Sequence, residues 1–325
     1  MPQLLSHRMQ AVGSHRGVCC GWVGCRLPGS MATPERLAGL RELMRSARLV
    51  GLLPCGLVTA PGKSDPPLRR SLGQHHLRHG ESAAPAVDFL DVSGRTVIEI
   101  GPGGGVLTRL LLERGASRVL ACELDPSWAF ALRRRLTDRR VRLAVGDACD
   151  LGYERTPVAA RIAGNLPYNV ATRIVSRVLE RAPVGLRAAF LVQREVAERL
   201  TAAPGDGAYG ALTVLTQARA AARRLAVVMP GSFVPPPAVT SAFVGLKRIE
   251  SPIAEEEWLD FRALVRTAFS RRRKTLLNNL AAVMDRPAAA AAISDLGLPP
   301  KIRAEALGLG RFVELFRVVE LLKRI

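Results

Sequence analysis

The sequence predicts an α/β fold followed by a small all-helical C-terminal domain. Three observations carry this expectation. From about residue 84 to residue 251, short apolar runs bounded by turn residues alternate with helical patterns. From residue 253 onward only helical periodicity remains. With 48% hydrophobic residues among 325, the chain can build a sizeable core, which excludes general disorder.

The strands are expected at Thr96–Ile100, 119–122, Val141–Val145, 161–163 and 188–192. Helices are expected between and after them, at 107–114, 127–136, Ala171–Arg181 and Arg194–Thr201. Strict alternation implies a mostly parallel sheet with helices on both faces. Ligands of such sheets bind beyond the carboxyl ends of the strands. Two further strands, 225–229 and 241–246, lie close together and suggest an antiparallel pair at one sheet edge. Pro252 marks a boundary, and helical patterns follow at 255–269, 273–283, 288–296, 304–307 and 311–322. Three regions result: an N-terminal extension (1–67), a sheet domain (68–251) and a helical domain (252–325).

Residues 1–67 are rich in Gly, Pro, Arg and Cys and weakly periodic, apart from a possible short helix at 35–49. A flexible or mis-started extension is the first reading, since Met31 and Met44 are in-frame starts. An organellar transit peptide ranks second and secretion last. Cytoplasmic residence in a bacterium is therefore expected ahead of a mitochondrial one. No apolar run reaches the ~18–20 residues that span a bilayer, so no membrane association is expected.

The chain carries 47 Lys+Arg against 28 Asp+Glu, a formal charge of +19. Such a balance favours an anionic partner, nucleic acid or an anionic surface. Ten basic and three acidic residues fall in 1–70, so part of the excess lies outside the folded region. The six cysteines (Cys19, Cys20, Cys25, Cys55, Cys122 and Cys149) contain no C-x-x-C pair. Free thiols, with neither disulfides nor a metal site, are expected.

Four turns carry the chemistry. Glu99-Ile-Gly-Pro-Gly-Gly-Gly105 follows a strand and opens a helix, the setting in which glycines let the backbone turn tightly against a ligand. Glu123 ends the next strand, where a carboxylate can accept both hydroxyls of a ribose. Asp147 ends the strand after that and can accept from an exocyclic amine. Singly, each acid is more often a cap or a solvated residue; three successive strand ends together favour a nucleoside-bearing ligand. A pyrophosphate cofactor fits less well, because Glu99 and Pro102 replace the usual dinucleotide pattern and Glu99 puts negative charge near the helix start.

Asn165-Leu-Pro-Tyr168 is the most specific of the four. An adenine amino group is a poor nucleophile, because its lone pair is delocalised into the ring. The Asn165 side-chain oxygen and a backbone carbonyl at Pro167 can accept its two N–H bonds and stabilise positive charge as it develops. Tyr168 can stack on the base. The stiff segment Ser232-Phe-Val-Pro-Pro-Pro-Ala-Val-Thr-Ser241 could hold Phe233 against the base's other face, or simply connect edge strands with Phe233 in the core. Arg271, Arg272, Arg273 and Lys274 form a candidate phosphate-contact patch, or an ordinary solvated helix face.

At these residues the sequence resembles the ribosomal RNA adenine N6,N6-dimethyltransferase family. The resemblance covers about residues 68–325. It runs in order through Leu72-Gly-Gln-His-His-Leu77, Glu99 to Gly103, Glu123-Leu-Asp125, Gly146-Asp147, Gly164 to Tyr168, Gln193 to Leu200, Tyr209 to Leu212, Phe233 to Val239, and Phe269 to Leu280. It implies a Rossmann-like class I methyltransferase sheet and S-adenosylmethionine as cofactor. The implied substrate is two adjacent adenosines near the 3′ end of small-subunit rRNA in a partly assembled subunit, and the enzyme is expected to act as a monomer.

The resemblance also implies roles. Gln74, His75 and Leu77 would cover the cofactor. Gly101 and Gly103 would face its methionine part, Glu123 its ribose and Asp147 its adenine. Asn165 and Pro167 would hold the target amine beside the cofactor, with Tyr168 and Phe233 around the base and Arg271–Lys274 on the RNA. Transfer would be direct, with no covalent intermediate and no His or Cys base. One departure stands out: the family usually has Gln-Asn-Phe-Leu where this chain has Gln74-His-His-Leu77. A charged His75 near a sulfonium would weaken cofactor binding below about pH 6.5.

Three alternatives stand beside this reading: a large-subunit rRNA methyltransferase of the macrolide-resistance type, a DNA adenine methyltransferase, and a non-catalytic nucleic-acid-binding factor on the same scaffold. Retention of Gly101, Glu123, Asp147 and Asn165 argues against the last.

Overall fold

The computed structural model describes residues 65–68 and 73–322. The expected helix at 35–49, the candidate targeting features and the cysteines at 19, 20, 25 and 55 lie outside the described residues.

Nine strands are described: β1 (His76–Leu77), β2 (Thr96–Ile100), β3 (Arg118–Glu123), β4 (Val141–Val145), β5 (Arg161–Asn165), β6 (Arg187–Gln193), β7 (Ala220–Val228), β8 (Phe233–Val234) and β9 (Ser241–Arg248). Seven form one sheet in the order β4-β3-β2-β5-β6-β9-β7, while β1 and β8 pair separately. The strands β4 to β6 in that order are parallel; β9 runs antiparallel to both β6 and β7. Strand β2 is buried at four of its five residues. A parallel strand covered on both faces requires this, and Val97, Ile98 and Ile100 supply it.

Strand β7 begins five residues before its expected start. Its first half, Ala-Ala-Ala-Arg-Arg, has no apolar run, because it lies at the sheet edge. The arginines and a register shift between Arg224 and Ala226 keep that edge from pairing further.

Six helices accompany the sheet: α1 (Ala84–Leu90), α2 (Val106–Glu113), α3 (Pro126–Arg135), α4 (Ala171–Arg181), α5 (Arg194–Thr201) and α6 (Ala211–Gln217). Helix α4 buries Ala171, Ile174, Val175, Val178 and Leu179, the spacing of a single helical face. One core cluster joins α4 and α5 to one face of the sheet; a second joins α1, α2 and α3 to the other. Helix α6 has no apolar face broad enough to predict it. Its two threonines are buried instead, Thr213 donating to the Arg199 carbonyl at 2.6 Å and Thr216 to the Leu212 carbonyl at 2.7 Å.

The C-terminal helices are α7 (Trp258–Ala268), α8 (Leu276–Leu280), α9 (Arg286–Asp295) and α10 (Leu309–Leu322). They share a third core with Tyr209, Val214 and Ala218, so this core draws on chain that precedes residue 252. Arg219, 1% exposed, lies over the Trp258 ring at 3.8 Å and pairs with Glu255 at 2.8 Å. The helix expected over 273–283 is shorter than its pattern. It starts only after Thr275, whose hydroxyl accepts from the Asn278 amide at 3.3 Å. Four consecutive cations at its N-terminus would oppose the helix dipole, so Arg271–Lys274 stay in the preceding turn. The stretch at 304–307 is a 3-10 turn, Ala304–Ala306.

A candidate active site at the switch point of the sheet

The strand order reverses between β2 and β5, which are direct neighbours. Open α/β sheets bind ligands at such a point, beyond the carboxyl ends. Here the glycine turn after β2 and the Asn165 turn after β5 meet. Gly101 has φ +66°, and a Cβ on it would lie 3.4 Å from the Asn165 carbonyl oxygen. Glu99 is 1% exposed. Burial pushes its carboxyl up to about 8, and the Glu123 charge acts the same way. The expected negative charge near the helix start is therefore suppressed at neutral pH.

Glu123 ends β3 and is buried. One carboxylate oxygen accepts from the Gly103 amide at 3.1 Å, the other from the Asp125 amide at 3.0 Å. Its pKa is raised by burial, with these amide bonds opposing. Each oxygen keeps a second lone pair, so the group can brace the glycine turn and still accept from a ligand. After β4, Asp147 accepts from the Cys149 amide at 2.8 Å and faces Arg173 at 3.4 Å. The Arg173 Nε also donates to the Cys149 thiol sulfur at 2.9 Å. The expectations above did not include Arg173; only the β4–α4 proximity reveals it.

Asn165 is the last residue of β5, and its Nδ2 donates to the His75 carbonyl at 2.7 Å. A carbonyl can only accept, so the amide orientation is settled: Oδ1 is left as the acceptor. The Tyr168 hydroxyl and Ser241 Oγ lie 2.5 Å apart. Burial raises the Tyr168 pKa, the Ser241 bond opposing. Pro167 lies between these two residues, where the turn was expected.

The segment Gln74–Leu77 crosses this turn as a strap, pinned by the β1–β8 pairing. Gln74 has a partner within the protein. The His75 Nδ1 lies 2.9 Å from the Pro235 carbonyl, and its ring stacks on Tyr168 with centroids 5.4 Å apart. His76 meets Trp128 edge-on at 4.2 Å. Burial, helped by the His75 charge, lowers its pKa to about 4, so it acts as the neutral ring that replaces a Phe. Leu77 is buried.

The Phe233 ring is fully buried, in one core cluster with Leu77, Val228 and Phe243. The two-residue strand β8 turns Phe233 inward and leaves Val234 outside, the edge-connection alternative.

A small open pocket lies between the strap and the turns, lined by His76, Leu77, Gly101, Pro102, Gly104, Val106, Leu107 and Asn165. The donor set around it suits S-adenosylmethionine, with a close-approach glycine turn and carboxylates on the next two strand ends. A Cβ at Gly103 would meet the His76 ring at 2.7 Å, so only glycine fits there. Among the described residues no group of three or more His, Cys, Asp or Glu is placed to hold a metal ion. No described helix is long and apolar enough to cross a membrane. Cys122 and Cys149 are free thiols.

Farther out, Arg271–Lys274 form an exposed turn between α7 and α8. Arg271 donates to the Asn278 carbonyl at 3.0 Å and Arg272 to the Gly207 carbonyl. The Lys274 backbone amide donates to the Arg271 carbonyl at 3.0 Å, and among the described residues the Arg273 and Lys274 side chains make no hydrogen bond or ion pair.

Sheet order, glycine turn and strand-end acids together define a Rossmann-like methyltransferase fold with a C-terminal helical domain. Residues 67–320 match the model of the family described as ribosomal RNA adenine dimethylase, and the chain belongs to that family. It is 42% identical over 261 residues to the ribosomal RNA small subunit methyltransferase A of Rubrobacter xylanophilus, covering 79% of this chain and 96% of that one. It is 40% identical to the protein of the same name from a Ruegeria species, covering 78% and 92%. Among solved structures, a Plasmodium falciparum dimethyladenosine transferase is similar with TM-score 0.62 at 23% identity, covering 74% and 96%. The 23S rRNA methyltransferase ErmE is similar with TM-score 0.58 at 24% identity, covering 75% and 99%. At these identities the two structures speak for the fold.

Proposed function

We propose that this chain dimethylates N6 of two adjacent adenosines near the 3′ end of small-subunit rRNA, in a partly assembled subunit, as a monomer in the bacterial cytoplasm. The relatives named as small-subunit methyltransferases support the substrate. The observation that carries the chemistry is the Asn165 amide, oriented by the His75 carbonyl so that Oδ1 accepts.

S-adenosylmethionine, when bound, supplies an electrophilic methyl on a sulfonium. Gly101 and Gly103 would hold its methionine part, Glu123 its ribose and Asp147 its adenine. The remaining work falls to the protein. Asn165 Oδ1 and the Pro167 carbonyl accept the two N–H bonds of the target amine, which draws its lone pair out of conjugation and stabilises the cation that forms. Tyr168 stacks on the base and fixes its plane. The extra proton on the methylated nitrogen leaves to solvent, so no protein base is required. Arg273 and Lys274, with Arg271 and Arg272 beside them, contact RNA phosphates.

The test is methyl incorporation into unmethylated small-subunit particles, with large-subunit particles and DNA as controls. Transfer is expected only to the small subunit. Asn165→Ala should lower it by at least about a hundredfold, while calorimetry shows cofactor binding retained. A wild-type protein that binds the cofactor yet transfers nothing to small-subunit rRNA would overturn the reading.

A further inference from the structure

The turn after β4 receives a side chain from α4. The Asp147 carboxylate caps that turn, one oxygen accepting from the Cys149 amide at 2.8 Å. Arg173 meets both residues. Its Nε donates to the Cys149 sulfur at 2.9 Å, and its Nη2 faces the second Asp147 oxygen at 3.4 Å. Burial raises the Cys149 pKa, the Arg173 bond opposing, so the group is a neutral thiol at pH 7 and its sulfur accepts. The buried Tyr153 hydroxyl holds the same turn at the Ala148 carbonyl, 2.8 Å away. Neither the helix nor the fold needs a cation at this position. Arg173 lies in the first turn of α4, where the helix dipole favours acids and opposes cations. Its side chain is 61% exposed and that of Asp147 38%, and an exposed ion pair adds little to stability.

From this arrangement we propose that Arg173 is a positioning residue for the adenine end of the cofactor, acting through Asp147 and Cys149. A carboxylate held at one oxygen can turn about its last bond. Held at both, it keeps one plane, and the remaining lone pair of its second oxygen stays aligned for an exocyclic amine. The bond to Cys149 fixes where the guanidinium sits, so the two contacts act as one fork. Helix α4 begins at Ala171, just past the Asn165 turn. The same side chain therefore ties the adenine pocket to the helix that follows the target-base turn. The inference rests on the reading of Asp147 as the acceptor of the cofactor's adenine.

The test compares Arg173→Ala, Asp147→Ala and the double variant with the wild-type chain. Calorimetry gives the Kd for S-adenosylhomocysteine and for S-inosylhomocysteine, in which a 6-oxo acceptor replaces the amine donor. Arg173→Ala should weaken the adenosyl ligand about three- to tenfold, the range of one hydrogen bond, and the inosyl ligand by less than about twofold. The preference between the two ligands should thus narrow, while the Tm stays within about 2 °C of wild type. The double variant should bind the adenosyl ligand no worse than Asp147→Ala alone, because Arg173 acts through that carboxylate. Equal losses for both ligands, or losses that add in the double variant, would overturn the proposal, since Arg173 would then shape the pocket as a whole. Unchanged affinity for both would reduce the contact to a surface ion pair and overturn it too. A raised KM for small-subunit particles at unchanged cofactor Kd would reassign Arg173 to the RNA, and the proposal would fail. If Asp147→Ala itself leaves the adenosyl Kd unchanged, the reading of Asp147 has failed, and the proposal falls with it by that separate route.

Discussion

The two halves of the crevice are built differently. On the β2–β3–β4 side, the acids Glu99 and Glu123 are 1% and 6% exposed and lie in the sheet, and backbone amides from the glycine turn close onto Glu123. On the β5–β9 side, the site is gathered from distant chain: Asn165 meets a residue 90 positions away and His75 one 160 positions away, each through a single hydrogen bond. The acidic half is part of the core and exists as soon as the sheet does. The aromatic half exists only while the strap, β8 and the Asn165 turn remain docked. A cofactor pocket of the first kind is preformed, whereas a base pocket of the second kind can yield when a bulky RNA enters.

The largest effect is expected at Glu123. Glu123→Ala orphans two amides, of Gly103 and Asp125, in a buried place, at a cost of about 2–4 kcal/mol in unfolding free energy. Urea denaturation should read this loss, and cofactor affinity should fall with it. Glu123→Gln should recover only part, because its amide nitrogen can donate but not accept. If Glu123→Ala unfolds at the wild-type midpoint, the acidic half is not core-built and the contrast fails.

The next effect separates the halves by pH. Glu99 holds its proton in the folded state up to about pH 8, against an ordinary value of 4.5. Its contribution is full below 4.5 and is lost as pH rises through 8. His76 runs the other way, with a folded value of about 4 against 6.5. Its contribution is full above 6.5 and is lost as pH falls through 4. Glu99→Gln should therefore raise global stability at pH 8 by about 1–3 kcal/mol and have little effect at pH 4. His76→Phe should flatten the acid side instead. Because His76 belongs to the strap, its effect should appear in hydrogen exchange of residues 74–78 before it appears in global unfolding. Equal acid-side changes in both readouts would place the strap in the core.

The same contrast explains what could be read from the sequence. Glu123, Asp147 and Asn165 were legible because each ends a strand, and strand ends follow from apolar runs and turn residues. Their local geometry needs nothing from elsewhere in the chain. The burial of Phe233 was not legible because two residues carry no periodicity: whether β8 faces Phe233 or Val234 inward depends on its pairing with β1, far away in sequence. Helix α6 was missed because buried threonines replaced the usual apolar stripe. The long half of β7 was missed because an edge strand need not be apolar. Arg271–Lys274 were legible as a cationic run, but not as a turn, since capping by Thr275 competes there with helical periodicity.

The smallest effect concerns the tip of Tyr168. Ser241 is fully buried at the start of β9, and its hydroxyl reaches the Tyr168 hydroxyl across 73 positions of chain. Tyr168→Phe keeps the stacking surface and removes this bond; Ser241→Ala removes it from the other side. Each should raise the particle KM by a few-fold, corresponding to about 0.5–1.5 kcal/mol. The cofactor Kd should not move, since neither group lies on the acidic half. The double variant should be no worse than the poorer single one, because both substitutions delete the same contact. Additive losses would mean that the two hydroxyls act separately, and the ring of Tyr168 would then owe its position to His75 and the turn alone. Loss of cofactor binding in either variant would mean that the two halves of the crevice are mechanically one.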